Sequence, residues 1–172
     1  MNRRIALTSG IVAIAGAAGV GTSVWRSRNA ANDLPPGLWD LAFDTPQAGR
    51  LQLASFRGKP LLMNFWASWC PPCVSELPLI DKFRRDQLAK GWEVLGVAVD
   101  TLEPVRAFLA KSPVGFPIAL AGMEGVALSR TLGNSTGALP FSVVFDGAGR
   151  PARRKLGVLT PQDLENWGGE VR

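Results

Sequence analysis

The segment Asn64–Cys73, with the sequence NFWASWCPPC, constrains the fold of this chain more than any other. It contains the only two cysteines among 172 residues, spaced as Cys-x-x-Cys. Residues 61–66 are apolar apart from Asn64 and end in aromatics, which is typical of a buried strand, whereas residues 74–90 show helical spacing of apolar side chains. The cysteine pair therefore lies at a strand-to-helix junction of an α/β domain.

A cysteine at this junction is chemically activated. Cys70 is predicted to be the N-cap residue and to face outward, with Pro71 at the first helical position and Cys73 facing inward. Unpaired N–H groups and the helix dipole stabilise a thiolate there, and the thiolate is the nucleophile. Because Pro71 and Pro72 lack N–H groups, only the N–H groups from Cys73 onward can reach the Cys70 sulfur. With fewer donors the thiolate is stabilised less. We therefore expect the reduction potential of this pair to lie at the reducing end of the range for such dithiols.

Other uses of a cysteine pair compete with this one. A structural disulfide closing so short a loop adds little stability by loop entropy, and the alternative of two inert buried thiols stays open. The chain has no histidine, so two cysteines cannot complete a structural zinc site. A Cu(I)-binding metallochaperone stays open as a function of another class, since thiolates suit that ion. The lack of histidine and of a methionine near the pair weighs against it, because Met63 and Met123 are the only methionines besides Met1.

The run Phe65–Cys73, followed by Glu76 and Pro78, resembles the thioredoxin superfamily. It is most similar to the TlpA-like branch of membrane-tethered, extracytoplasmic thiol:disulfide oxidoreductases, and the resemblance covers residues 43–164. It implies a thioredoxin fold, which is a central mixed sheet flanked by helices. It also implies an N-terminal β-hairpin, a central strand-helix insertion and a helix kink at Pro78.

Several segments fit this fold. The hairpin falls at 51–59, a buried strand at 92–99, a helix at 105–111, the inserted strand and helix at 116–120 and 126–132, and a second hairpin from 143 into a strand at 153–157. Thr160 is predicted to cap a final helix that begins with Pro161. The basic residues Arg153–Lys155 are interpreted as a solvated strand edge, with orientation of an acidic partner as the alternative.

The resemblance also implies roles for individual residues. Cys70 attacks a substrate disulfide and Cys73 resolves the mixed disulfide. The loop Thr136–Phe141 matches the loop with a cis-proline at Pro140, which exposes the backbone of Leu139 to a substrate strand. Trp69 shields the disulfide and offers an apolar docking surface, whereas Trp66 is expected in the core.

Two polar positions bear on proton transfer. Thioredoxin has a buried acid at the position of Asn64, which cannot titrate, whereas TlpA-like proteins have a glutamate at the position of Glu76. Residues three apart share a helix face, so Glu76 can approach Cys73. A carboxylate there would raise the pKa of the thiol and accept its proton. The alternative is a solvated helix carboxylate without a redox role.

Met1–Arg28 forms a separate leader, in which residues 5–25 contain no charge. These 21 residues suffice to span a bilayer, although their many Gly and Ala residues make them only moderately hydrophobic. We predict an inner-membrane anchor at residues 5–25, with a cleaved signal peptide as the alternative. Residues 29–37 then form a linker and residues 38–172 the catalytic domain, on the periplasmic or extracytoplasmic side.

Charge does not indicate a nucleic-acid partner. The net charge is +5, but four of the arginines lie in the leader and leave 15 basic against 14 acidic residues. The sequence predicts a protein-disulfide reductase that needs no cofactor and acts on protein thiols and disulfides. By resemblance, apocytochrome c is a candidate substrate and a membrane-embedded protein the electron donor. A dithiol oxidase or isomerase would use the same residues and stays open, and a peroxidase is a weaker alternative because its cysteine spacing differs.

Overall fold

The computed structural model of the protein describes residues 34–171. The strands are β1 (Ala42–Asp44), β2 (Arg50–Gln52), β3 (Leu61–Trp66), β4 (Glu93–Ala98), β5 (Ile118–Leu120), β6 (Phe141–Phe145) and β7 (Pro151–Leu156). The α-helices are α1 (Pro71–Gln87), α2 (Leu102–Lys111), α3 (Glu124–Thr131) and α4 (Pro161–Glu170), and short 3-10 helices cover Leu38–Asp40, Leu53–Phe56 and Leu88–Lys90.

These strands form one mixed sheet in the order β2-β1-β5-β4-β3-β6-β7. β3 lies parallel to β4 and antiparallel to β6, and α2 connects the parallel strands β4 and β5. Every residue of β3 is buried. This explains why its sequence is apolar at every position except Asn64 rather than alternating. Because Cys70 follows soon after the end of β3, the cysteine pair lies at the carboxyl end of a central strand.

The side chains of β3 alternate between two hydrophobic clusters, one on each face of the sheet. Leu62 and Trp66 belong to the cluster covered by α1, α2 and α4. Met63 and Phe65 belong to the cluster covered by α3 and the first two 3-10 helices. Asn64 points to the same face as Leu62 and Trp66, since strand side chains alternate with period two. A buried amide therefore lies beneath the helix that carries both cysteines.

Helix α4 begins at a capping box. The Thr160 hydroxyl accepts a hydrogen bond from the Asp163 N–H at 3.2 Å, and the Asp163 carboxylate accepts one from the Thr160 N–H at 2.7 Å. Pro161 occupies the first turn, where its missing N–H has no cost. The predicted start of this helix is confirmed.

β7 is an edge strand with Arg153 and Arg154 exposed and Lys155 half-buried, so the predicted solvated strand edge is confirmed, and its cations also pair with neighbouring elements. Arg153 forms an ion pair with Glu170 at 2.5 Å, and Lys155 pairs with Asp163, both partners lying on α4. Arg154 instead donates from Nε to the carbonyl oxygen of Leu132, just after α3, at 2.6 Å. Alternate residues of the strand thus hold helices on opposite faces of the sheet.

The other predicted elements are present. β1 and β2 form the N-terminal hairpin, β5 and α3 match the predicted inserted strand and helix, and Pro78 lies inside α1. Among residues 34–171 no helix has the length and apolar character needed to cross a bilayer. The predicted anchor at residues 5–25 and most of the linker lie outside the described residues.

Candidate active site

The two cysteines form a disulfide at the first turn of α1. Cys70 is the N-cap residue, Pro71 begins the helix, and the Cα atoms of Cys70 and Cys73 are 5.3 Å apart. The N–H of Cys73 donates to Cys70 Sγ at 3.3 Å. It is therefore the first backbone donor to this sulfur, as the two prolines predicted. Cys70 retains 6% exposure and Cys73 none, so the outward position of Cys70 is real but slight.

An acidic residue at the end of β4 holds the loop before the disulfide. Asp100 Oδ2 accepts hydrogen bonds from the N–H and the hydroxyl of Ser68, at 3.0 and 2.6 Å. Its other oxygen accepts from the N–H of Thr101 at 2.7 Å. Trp69, the residue after Ser68, is 64% exposed, which is unusual for so large an apolar side chain. The loop thus presents Trp69 to solvent beside the disulfide.

The loop between α3 and β6 carries the second element of the site. The peptide bond between Leu139 and Pro140 is cis, as predicted. Pro140 is tied to the neighbouring strand, because its carbonyl accepts from the N–H of Gly157 at 2.9 Å. Within residues 34–171, neither the N–H nor the carbonyl of Leu139 has a hydrogen-bond partner. The backbone of Leu139 is therefore available to an added strand.

An apolar groove of about 380 Å³ connects these two loops. Trp69 and Cys70 line one part of it, and Leu139 and Met123 line another. Met123 is 78% exposed. The premise that no methionine lies near the cysteines was therefore wrong, since chain folding brings Met123 into the groove that Cys70 lines. The groove offers a surface for an apolar side chain next to the reactive sulfur.

Glu76 lies on the closed side of the disulfide, one helical turn after Cys73. It is only 2% exposed, so the alternative of a solvated carboxylate was wrong. Its Oε1 accepts from Asn64 Nδ2 at 2.8 Å, and its Oε2 accepts from the N–H of Leu159 at 2.6 Å. Burial raises the pKa of Glu76 above its ordinary value, and these two donors together with the charge of Lys155 oppose that rise.

Asn64 links Glu76 to the strand that follows Pro140. Besides Glu76, its amide nitrogen donates to the buried hydroxyl of Ser142 on β6 at 3.0 Å. In the described part of the chain, Asn64 Oδ1 is buried without a partner. Asn64, Glu76 and Ser142 thus form a buried polar cluster with one unused acceptor.

Asp100 and Ser142 were not predicted as site residues. For Asp100 a signal existed, because a polar residue directly after a buried parallel strand lies at the carboxyl edge of the sheet, where ligands bind. Ser142 carried none, since a serine within an apolar strand has no distinctive spacing. Trp66 is fully buried, as predicted.

Proteins similar to this chain are found by sequence. The family model described as Redoxin matches residues 40–167. The thiol-disulfide oxidoreductase ResA of Bacillus cereus is 29% identical over 119 residues, which cover 69% of this chain and 66% of that protein. ResA of Geobacillus kaustophilus is 30% identical over 117 residues, which cover 66% and 64%. The matched segment spans slightly less than two thirds of each relative.

Solved structures share the fold. A thiol:disulfide interchange protein of the thioredoxin family from Chlorobium tepidum TLS superposes with a TM-score of 0.65 at 25% identity, covering 76% of this chain and 92% of that one. StoA from Bacillus subtilis superposes with a TM-score of 0.60 at 22% identity, covering 74% and 94%. The predicted thioredoxin fold is confirmed.

Proposed function

The chain belongs to the Redoxin family, and on that premise we propose that it is a thiol:disulfide oxidoreductase that reduces disulfides in proteins. One observation carries the proposal: the Cys70–Cys73 disulfide lies at a helix N-terminus, and Cys70 lines an apolar groove together with Leu139, whose backbone has no hydrogen-bond partner within residues 34–171. A disulfide with only a structural role does not need an exposed tryptophan and an open groove beside it.

The reaction proceeds by thiol–disulfide exchange. In the reduced protein the Cys70 thiolate attacks one sulfur of a substrate disulfide, which forms a mixed disulfide and releases the other substrate sulfur as a thiolate. The Cys73 thiolate then attacks Cys70 Sγ, which releases the second substrate sulfur. Two electrons pass from the dithiol to the substrate, and the protein ends as the Cys70–Cys73 disulfide.

Glu76 serves the second step. Cys73 is fully buried and must lose its proton before it attacks. Glu76 lies one turn away on the same helix face, and burial raises the pKa of its carboxyl towards the range in which it accepts and returns a proton. Its hydrogen bonds to Asn64 and Leu159 hold it in place.

The substrate binds as an extended segment. Its backbone pairs with the N–H and carbonyl of Leu139 beside Pro140, and an apolar side chain next to its cysteine lies in the groove against Trp69. The apolar lining and the exposure of Trp69 support this arrangement.

We further propose that the catalytic domain, residues 38–172, acts outside the cytoplasm. Residues 5–25 anchor it in the inner membrane and residues 29–37 form the linker, for which the uncharged leader is the support. A membrane-embedded protein returns electrons to the disulfide, and apocytochrome c is a candidate substrate.

Replacing Cys73 by Ser tests the mechanism. The variant retains the attacking sulfur but cannot resolve the intermediate, so a mixed disulfide with a disulfide-bonded polypeptide such as insulin should accumulate on Cys70. Mass spectrometry without reductant measures it, with the double variant lacking both cysteines as the control. If no adduct forms on Cys70, the proposed exchange mechanism is wrong.

The position of Met123 gives one observation in favour of Cu(I) binding, because a thioether and the Cys70 sulfur line the same groove. Titration of the reduced protein with Cu(I) against a competing chelator discriminates the two functions. Tight stoichiometric binding that Met123→Leu weakens, together with absent disulfide reduction, would favour the metallochaperone.

A further inference from the structure

A second buried polar cluster lies just before Leu139 and is centred on Asn134. This side chain is 1% exposed. Its amide nitrogen donates to Ser129 Oγ at 3.2 Å and to the carbonyl of Ala138 at 2.8 Å. Its Oδ1 accepts from Thr136 Oγ1 at 3.1 Å and from the N–H of Gly137 at 3.0 Å. An asparagine amide has two donors and two acceptor positions, so all four are used.

These bonds fix the shape of a loop that no strand holds. Residues 134–138 lie between α3 and β6 and belong to no regular element. Three of the four bonds of Asn134 go to residues 136–138, which immediately precede Leu139. Gly137 has a φ of +72°, and a Cβ there would lie 2.9 Å from Val126 of α3. The side chain of Asn134 therefore fixes the backbone conformation of this loop.

The fourth hydrogen bond of Asn134, to Ser129, connects the loop to α3. Ser129 is fully buried, and its hydroxyl donates to the carbonyl of Val126 at 2.9 Å while it accepts from Asn134. Loss of the Asn134 amide would remove the hydrogen bond to the carbonyl of Ala138 and would leave the N–H of Gly137 with the Asn134 carbonyl at 3.1 Å as its remaining acceptor. The loop would then lose its fixed position against the helix.

We infer that Asn134 is a positioning residue that holds the backbone of Leu139 in place for pairing with a substrate polypeptide. This rests on the proposed function and extends it by assigning the loop's geometry to one side chain. Among residues 34–171, Asn134 makes no hydrogen bond to Cys70 or Cys73, so its effect is on binding of an extended chain rather than on the reactivity of the sulfurs.

The test compares two oxidants of the reduced, full-length protein. Insulin presents its disulfides on a polypeptide backbone, whereas 5,5′-dithiobis(2-nitrobenzoate) is a small disulfide with no backbone to pair. For Asn134→Ala we expect the second-order rate constant with insulin to fall about tenfold, as small displacements of binding groups do. The constant with the small disulfide should stay within about twofold, and the reduction potential should not change.

Two further variants complete the test, the first of which controls for a general loss of stability. Leu61→Ala removes a fully buried side chain at the opposite end of β3 from the cysteines. It should lower the unfolding midpoint but leave the ratio of the rate constants with insulin and with the small disulfide unchanged. Ser129→Ala removes one partner of Asn134 and should change the ratio of these two rate constants in the same direction as Asn134→Ala, but less. It also carries the test if Asn134→Ala does not fold.

The outcomes are distinct. If the wild-type protein does not reduce insulin, the proposed function fails and not this inference alone. If the wild-type protein is active, the role of Asn134 is overturned when Asn134→Ala loses equally in both rate constants or in neither. It is also overturned when Leu61→Ala lowers the rate constant with insulin but not the one with the small disulfide.

Discussion

The two sulfurs of one disulfide lie in contrasting surroundings. Cys70 lines an open groove formed mainly by apolar side chains, with the exposed Trp69 and Met123 beside it. Cys73 is fully buried, and the next turn of its helix places Glu76 in a closed cluster with Asn64. The open side has contact area but no buried charge, whereas the closed side has a carboxylate but no access for a substrate.

This difference indicates how one helix turn separates two tasks. An apolar, accessible surface suits recognition of a partner, because removal of apolar area from water is favourable and not directional. A buried carboxyl with a raised pKa suits proton transfer, because small changes in its surroundings alter its protonation. The two residues between the cysteines, Pro71 and Pro72, separate Cys70 and Cys73 by about one helical turn, and each sulfur thus lies in one of these environments.

The largest expected effect comes from removing the sulfur on the open side. Cys70→Ser should reduce the rate of exchange with any disulfide by more than about 1,000-fold, because a serine hydroxyl is not ionised at neutral pH. Serine is a favourable N-cap residue, so α1 should remain folded. Stopped-flow reduction of the small disulfide measures the rate and circular dichroism checks the fold. Retained exchange through Cys73 would contradict the assignment of the two sulfurs.

A smaller effect is expected from the groove itself. Trp69→Ala should lower the rate constant with insulin by about tenfold, which corresponds to about 1.4 kcal/mol and is typical of a buried aromatic contact. Trp69→Phe retains an aromatic ring and should lose much less. Equal rates for all three proteins would show that substrates do not use this side of the disulfide.

The smallest expected effect is on the closed side and concerns stability against pH. Because burial raises the pKa of Glu76 in the folded protein, its contribution to stability is complete below its ordinary value of 4.5 and is lost as pH rises through the folded-state pKa. The free energy of unfolding of the wild type, relative to Glu76→Gln, should therefore decrease as pH rises. The loss is at most about 1.4 kcal/mol per unit of pKa shift.

Urea unfolding of the oxidised proteins between about pH 4 and pH 8 measures this difference, since the disulfide then does not titrate. Glu165→Gln, at an exposed position of α4, is the matched control and should run parallel to the wild type. If the free energy of unfolding of the wild type, relative to Glu76→Gln, instead rises with pH, the pKa of Glu76 is lowered in the folded protein. The basis for proton transfer by Glu76 would then be lost.

The sequence predicted the features that depend on neighbours along the chain. Cys70 as N-cap and Pro71 at the helix start follow from local rules, and so does the capping box at Thr160. The match of the loop at Pro140 to a family pattern predicted the cis bond. These predictions needed no knowledge of how distant segments pack.

The remaining features depend on contacts across the chain. Glu76 meets Leu159 across 83 residues, and Asn64 meets Ser142 across 78. Helix geometry placed Glu76 near Cys73 but did not decide between a buried and a solvated carboxyl. Met123 likewise reaches the groove only because α3 folds back towards β4. No local pattern contains that information, because it depends on which faces of distant elements meet.

The edges of the sheet have a consequence for solubility. The edge strands are β2, with only three residues, and β7, which carries Arg153, Arg154 and Lys155. A short edge and a strongly basic edge both discourage strands of other molecules from adding to the sheet and nucleating aggregates. A protein proposed to accept a foreign strand at Leu139 thus discourages the same pairing along its whole outer border, where pairing would be indiscriminate and hard to reverse.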